Sequence, residues 1–441
     1  MREAAKFLAG FAVLAVVLGG VAPARSQQSK PPYTLAEYND YFATTRLENP
    51  SERAQAIEQF IKTYPQSALR AFAYPDYAQV AWAQKRYPVV MQASVDFLAL
   101  DRQQVENLYR QSNFNDLQIH YKYYQAALFY AYAYLQPTKE NGAAAEATAA
   151  QAMDMARRGQ ELYATFYGQV PAPEDPAQRQ QLEQTKQQEE TVFHQVMLAA
   201  AVRKKDNNVA AREYAWMLER TPNEAGLNYQ YARILLQKNQ PDYRVGFWYL
   251  GRAISLNIPK SDEVKDYLKK SLAAYQQVPP ECLDDQVNDL IKDSATSLKP
   301  AAGWKLASAE QVNAIRNELS VKRIFDDLRA GGETAHMMYL ASCGTVIGLG
   351  DEGPELGLMI LEVNQTPGNL VTLLGALTQE SADAKKPDVE VKIEGPAEAR
   401  NLRAEDYVRV SGKITGYQIE PFLLKLGEGN VNPEDIPKTR R

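Results

Sequence analysis

The side chains best suited to chemistry in this chain are few and widely spread. Three histidines, His120, His194 and His336, lie far apart, and none has the HxxxH or HExxH spacing that puts two ligands on one helix face. Each reads as a helix residue rather than a metal ligand. The two cysteines, Cys282 and Cys343, leave two readings open. In an oxidising compartment they form a disulfide that clips a helical segment to a later strand-rich one; otherwise they are buried thiols acting as small apolar residues. His336 can be drawn as a base for Cys343, but that thiol sits in an apolar run with no group to orient the base. Gly348, Gly350 and Gly353 match GxGxxG in form. A pyrophosphate site requires a helix to start at the last glycine, whereas Pro354, Glu355 and Leu356 follow, and Asp351-Glu352-Gly353 reads as a hairpin turn whose carboxylates repel phosphate. There is no GxSxG, phosphate-loop or zinc-knuckle spacing, and the pairs Asp284-Asp285 and Asp326-Asp327 fall on amphipathic helices whose charged faces are solvated. Neither a catalytic constellation nor a cofactor or metal site is expected.

The elements that must position any site follow from length and pattern. At 441 residues the chain exceeds one ordinary core and implies two or three domains, or a solenoid with an appendage. A formal charge of −5 with a pI near 5.6 weighs against a general nucleic-acid binder. At the N-terminus, Arg2 and Lys6 precede the uncharged apolar run Phe7 to Val21, and Ala22-Pro23-Ala24 offers the small residues a signal peptidase needs. The expectation is a signal peptide over 1–24, cleaved after Ala24, a periplasmic location and no membrane span in the mature chain. Residues 25–34 read as a flexible tether.

Helical periodicity starts at Leu35. Ala54, Ile57, Phe60 and Ile61 form one stripe, ended by Tyr64-Pro65, and Val90, Ser94, Phe97 and Leu98 form another behind Tyr87-Pro88. From Leu117 to Leu135 apolar residues occupy two faces, which predicts a sandwiched helix, or alternatively an aromatic groove in which Tyr123 and Tyr130 contact peptide or sugar. Asn141-Gly142 breaks the chain before an alanine-rich helix over 143–167, and Gly168 to Pro176 is a connector. Arg179 to Glu190 reads as the solvated start of a long helix buried from Val192 onward. Ser261 is expected to cap a helix over 261–277; Glu281 to Leu298 and Ser308 to Arg329 read as two further helices.

The stretch Thr191 to Pro259 carries the clearest spacing. Ala210, Tyr214, Met217 and Pro222 close one helix pair; Ala232, Leu235, Gly246, Leu250 and Ala253 run through the next. This resembles the tetratricopeptide repeat, which implies an α-solenoid over 35–278 with a partner-binding groove. Carried over from Ala232, the groove positions are Gly226, Tyr229, Arg233 and Leu236, with Tyr229 and Arg233 the first choices for contact. Leu198 stands where the family places a small residue, and extra residues near Asp242 lengthen the second turn.

Residues 279–330 read as a helical cap and connector. After Gly331-Gly332 the runs Thr345 to Leu349, Leu356 to Val363, Leu370 to Leu377, Val389 to Ile393, Tyr407 to Ile414 and Phe422 to Leu426 read as strands. Gly412 and Gly416 permit sharp bending. DYVRVSGKITGYQ followed by PFLLKL resembles an oligonucleotide/oligosaccharide-binding-fold barrel over 331–432, with a loose tail over 433–441. From Gly331 onward, eleven basic residues face seventeen acidic ones, and the aromatics are Tyr339, Tyr407, Tyr417 and Phe422, which speaks against single-strand binding. The expected class is therefore α+β multidomain, an α-solenoid followed by a small β-barrel. The expected role is a periplasmic scaffold for protein partners in the cell envelope, with carbohydrate or peptidoglycan binding as the alternative and an enzyme as the remote one.

Overall fold

The structure, a computed structural model, describes residues 31–137, 143–348, 355–365, 370–394 and 397–438, with backbone alone for 143–147, 394, 397 and 398. The expected signal peptide and most of the tether, the Asn141-Gly142 break and the Asp351-Glu352-Gly353 turn lie outside the described residues. Among them the chain is mostly helical, with a six-stranded mixed sheet near its C-terminus. It divides into two compact units, residues 1–221 and 222–441.

In the first unit run α1 (Leu35–Thr45), α2 (Pro50–Thr63), α3 (Arg70–Ala83), α4 (Tyr87–Leu98), α5 (Arg102–Gln111), α6 (Asp116–Tyr134), α7 (Ala143–Tyr167), α8 (Pro176–Lys204) and α9 (Asn207–Arg220). Most pack on the next helix in sequence, and α6 also reaches α4 and α8. Local signals set the boundaries. Thr34 and Glu37 form a capping box on α1, Asn49 caps α2 ahead of Pro50, and Asn115 with Gln118 boxes α6. The polar helix α5, absent from the sequence reading, starts at Asp101, whose carboxylate accepts from the Gln104 N–H.

Pro75 lies inside α3 and lacks the N–H that would donate to the Ala71 carbonyl four residues back. The fully buried Tyr109 of α5 donates its hydroxyl to that carbonyl at 2.6 Å. A gap in one helix's ladder is thus filled by a side chain from another, and burial raises the Tyr109 pKa so that it stays a donor.

The second unit begins with α10 (Ala225–Leu236), α11 (Tyr243–Ser255), α12 (Ser261–Gln276), a 3-10 turn at Pro280–Leu283, and α13 (Asp284–Thr296). The helix expected to be capped by Ser261 instead has Lys260, at φ 62°, in the cap position, and Ser261 is its first residue. Helix α11 is central, with every residue from Gly246 to Ala253 buried. A Cβ on Gly246 would sit 2.8 Å from Leu236 of α10, and one on Gly251 2.8 Å from Ser294 of α13. The two glycines therefore admit one neighbour on each side, at a helix-propensity cost of roughly 1 kcal/mol apiece. Arg252, only 5% exposed, spends its guanidinium on carbonyls: Nη1 donates to Ser294 O at 2.9 Å and Ser297 O at 3.1 Å, Nη2 to Asn223 Oδ1 at 2.9 Å. A cation at the carboxyl end of α13 also complements that helix's dipole.

The stretch expected to form one helix over 308–329 is broken into α14 (Ala309–Arg316) and α15 (Val321–Ala330), because Ser320 accepts from the Arg323 N–H and caps a new start. The expected strand-rich region also opens on a helix, α16 (Gly332–Ser342), rather than on a strand. Strands β1 (Val346–Ile347), β2 (Leu356–Gln365) and β3 (Leu370–Ala376) come next, then α17 (Gln379–Asp383), β4 (Val389–Glu394), a 3-10 turn at Ala397–Asn401, β5 (Tyr407–Gln418) and β6 (Leu423–Val431).

The order β1-β5-β2-β3-β4-β6 returns to β5, which pairs with β6, so β2 to β6 close on themselves. All neighbours are antiparallel except β4 and β6, which are parallel. Strand β5 pairs with β2 through Tyr407–Val410 and with β6 through Val410–Gln418; its register shifts between Ser411 and Lys413, around Gly412, and again beside Gly416. A Cβ on Gly412 would meet Leu426 at 2.9 Å, so glycine is what lets the strand turn from one partner to the other.

Within segment 279–330, read as a helical cap and connector, α13 packs on α11, while Cys282, Ile324, Phe325 and Leu328 join the core built on the strands. Cys282 and Cys343 are joined by a disulfide. The expected loose tail is held along its described part: Asp435 accepts from the Arg409 backbone N–H at 2.8 Å and from its guanidinium at 2.9 Å, while Ile436 is buried.

Two outcomes follow from these contacts. Tyr109→Phe should destabilise the first unit by about 1–2 kcal/mol, and by less in a Pro75→Ala background where a helical N–H can replace the hydroxyl; a denaturant double-mutant cycle reads the difference. Arg252→Met should cost the second unit about 3 kcal/mol, because the buried Ser294 carbonyl and several part-buried acceptors lose their donor together; the shift in chemical denaturation midpoint measures it.

Candidate functional site

The aromatic helix foreseen as a groove is α6, and its tyrosines face inward. Tyr123 and Tyr130 are 3% and 1% exposed, which removes them as partner-contact residues. Tyr123 packs on Phe97 at 5.3 Å, donates to Arg102 O at 3.4 Å, and carries the Arg102 guanidinium over its ring; Tyr130 stacks parallel to Tyr134. The physical reason is that a helix apolar on two faces needs neighbours on both, here α4 and α7.

Deeper in the same unit, Glu189 of α8 is buried and accepts hydroxyls from Tyr124, at 2.6 Å, and from Tyr167. Burial pushes its carboxyl above the ordinary range, while the two phenols pull it back. Lys186 lies over the Tyr167 ring at 5.6 Å, and Tyr124 stacks on Phe166. This is a satisfied buried carboxylate in a packed aromatic shell.

The histidines divide by environment. His194 Nδ1 lies 2.6 Å from Glu213 Oε2, its Nε2 lies 3.2 Å from the Gln160 amide, and its ring stacks 3.5 Å from Trp216, which also carries the Arg220 guanidinium. Both ring nitrogens are engaged, and among the described residues no hydroxyl or thiol bonds to them, so the pair has no nucleophile to activate. This cluster joins α7, α8 and α9 and was invisible in the sequence, because its members are 19 to 34 positions apart. His120 bonds Gln169. His336 is shifted down by burial, and its imagined partner Cys343 is spent in the disulfide. Gly348 takes φ +87°, and the described chain resumes as strand β2, not as the helix a pyrophosphate needs. Among the described residues no three metal-binding side chains converge.

The groove positions carried over from the repeat resemblance lie on α10. Arg233 is exposed and its guanidinium lies 5.8 Å from the ring of half-buried Tyr229, while the neighbouring Gln230 and Gln237 are exposed. Among the described residues Arg233 has no carboxylate partner. Gly226 is half-buried, and Leu236 is turned toward α11, where it faces Gly246. Tyr229 and Arg233 thus share one accessible face, and Leu236 belongs to the interhelical contact instead.

The barrel offers a second surface. On β3 and β4, Thr372, Leu374, Glu390 and Lys392 alternate with the buried Val371, Leu373, Val389 and Val391, and Glu390 pairs with Lys392 at 3.5 Å. That face carries no aromatic ring. Tyr407, 69% exposed on β5, lies across Gly357, where a Cβ would collide with its hydroxyl. One ring and a neutral ion pair do not make the positive stacking groove that a single strand requires.

The sign of the Glu189 effect yields a pH test. Its folded pKa is raised, so the stability this proton contributes is present below the ordinary carboxyl value of about 4.3 and is lost as pH rises through the folded value. The stability difference between Glu189→Gln and the parent should therefore move in favour of the variant as pH is raised through that window, as read by urea denaturation at a series of pH values. A difference that stays flat would remove the linkage.

No family model matches this chain, and no curated protein matches it, so its own residues carry any functional reading.

Proposed function

We propose that the chain is a binding scaffold which holds a protein partner on the outward face of α10. The observation that carries this reading is the Tyr229–Arg233 pair: an accessible aromatic ring beside an exposed guanidinium that has no carboxylate partner among the described residues, flanked by exposed amides. Tyrosine and arginine are the residue types in which binding energy concentrates at protein interfaces. The matching partner segment presents a carboxylate to Arg233 and an apolar side chain to Tyr229.

Three further features support the setting. Helix pairs with small residues at their crossings, Ala232 against α11 and Gly246 against Leu236, are what a tetratricopeptide-like unit needs. Five strands closed in the order β2-β3-β4-β6-β5, with the parallel pair between β4 and β6, favour an oligonucleotide/oligosaccharide-binding-type barrel used here for protein contact or as an end domain. The Cys282–Cys343 bridge, with the signal-like sequence before Ala24, favours an oxidising, periplasmic location. No helix among the described residues is long and apolar enough to cross a membrane.

The carbohydrate alternative loses one of its two surfaces, since the α6 tyrosines are buried. The combined substitution Tyr229→Ala with Arg233→Glu should weaken partner capture at least about tenfold with unchanged far-ultraviolet circular dichroism. Crosslinking of the tagged protein in its native envelope, parent against variant, makes the comparison; equal recovery of the same crosslinked species would remove α10 as the binding face.

A further inference from the structure

We infer that a polar cleft in the first unit binds a small zwitterion, a molecule carrying both an ammonium and a carboxylate, of the free amino acid or short peptide class. The cleft, about 440 Å³ in volume, opens between the start of α3, the end of α4 and the start of α5. Small-molecule sites span roughly 300–1,000 Å³. Its lining is charged and divided: Arg70 on one element, Asp96 and Asp101 on the others, with Gln66 and Gln104 at the rim.

The floor is built from buried side chains. Ser67, Tyr74 and Val105 are 4%, 8% and 4% exposed. Burial and then the Asp96 carboxylate raise the Tyr74 pKa, and a hydrogen bond with Arg70 lowers it, so this hydroxyl feels both halves of the charge pattern. The charged groups keep unused capacity. Arg70 Nε donates to Ser67 O at 3.2 Å, and among the described residues no carboxylate pairs with its guanidinium. Asp96 Oδ1 accepts from Gln92 at 2.8 Å and Asp101 Oδ1 from the Gln104 N–H at 2.7 Å, which leaves the second oxygen of each without a donor among the described residues.

Charge balance selects the ligand class. A simple anion on Arg70 would sit beside two carboxylates, and a simple cation on Asp96 would face the guanidinium. A zwitterion satisfies both at once: its carboxylate takes the guanidinium in a forked, charge-assisted bond, and its ammonium lies against Asp96 and Asp101. None of these residues belongs to the α10 surface, so this site stands or falls independently of it.

Isothermal titration of the full chain with L-alanine, glycylglycine, acetate and ethylamine tests the assignment. The expected result is that at least one of the two zwitterions binds, about tenfold or more tighter than either single-charge probe, and that Arg70→Ala and Asp96→Asn each weaken it about tenfold. Arg70→Lys keeps the charge without the fork and should fall between. The free amino acid and the dipeptide separate the two sources. Unchanged circular dichroism for the isosteric Asp96→Asn variant separates a lost contact from a lost fold. The assignment is overturned if neither zwitterion binds at millimolar concentration, if acetate or ethylamine binds equally well, or if both variants bind as the parent does.

Discussion

The guanidinium of Arg252 is the contact on which the helical half of the second unit depends. It is buried with no carboxylate partner among the described residues and is satisfied by carbonyls from the end of α13 and by Asn223 ahead of α10. The buried Ser294 carbonyl needs a donor, and a charged side chain could not be buried without acceptors. Gly246 and Gly251 bring α10 and α13 close enough for the exchange to occur around α11. The first unit uses the same logic twice: Tyr109 supplies the donor that Pro75 removes, and Tyr124 and Tyr167 satisfy Glu189. In each case a polar group inside a helical core is tolerated because another helix delivers its partner.

The strands close into a barrel whose core includes residues that precede them. Phe325 of α15 packs on Phe422 at 5.8 Å, and Arg329 reaches over Phe422 to the buried Asp388 at 3.2 Å. Tyr339 of α16 packs on Tyr417 and donates its hydroxyl to Thr415 O. With the disulfide and the Arg409–Asp435 clamp added, helix, barrel and C-terminal segment form one packed body. The outward face of β3 and β4 is plain by comparison, carrying the Glu390–Lys392 ion pair among short and aliphatic side chains.

Much of the architecture was legible along the chain because short-range physics writes it there. The alanine-rich run over 143–167 is α7, and the alternating run beginning at Leu370 is β3 to within one residue. Gly412 was expected to bend a strand and does so at a register shift. The misses have local causes: α5 has a sparse apolar stripe, α16 starts at two glycines, and Ser320 splits one helical pattern into two. The order β2-β3-β4-β6-β5 has no local signature, because pairing depends on which edges meet after the chain has crossed over.

The candidate sites divide along the same line. Residue type and helical spacing were sufficient to put Tyr229 and Arg233 on one face of α10, since positions four apart are neighbours on any helix. Spacing alone could not tell a tyrosine that faces a groove from one that faces a core, and burial decided against Tyr123 and Tyr130. Nor could it bring Arg70, Asp96 and Asp101 around one cleft, or His194 to Glu213, because those meetings depend on how separate helices pack. The sequence by itself determined most of the helices and strands and several of their boundaries, such as α7 and β3. Tertiary structure alone decided which polar groups are spent on each other and which remain open, because desolvation and hydrogen-bond partnership are properties of the packed chain.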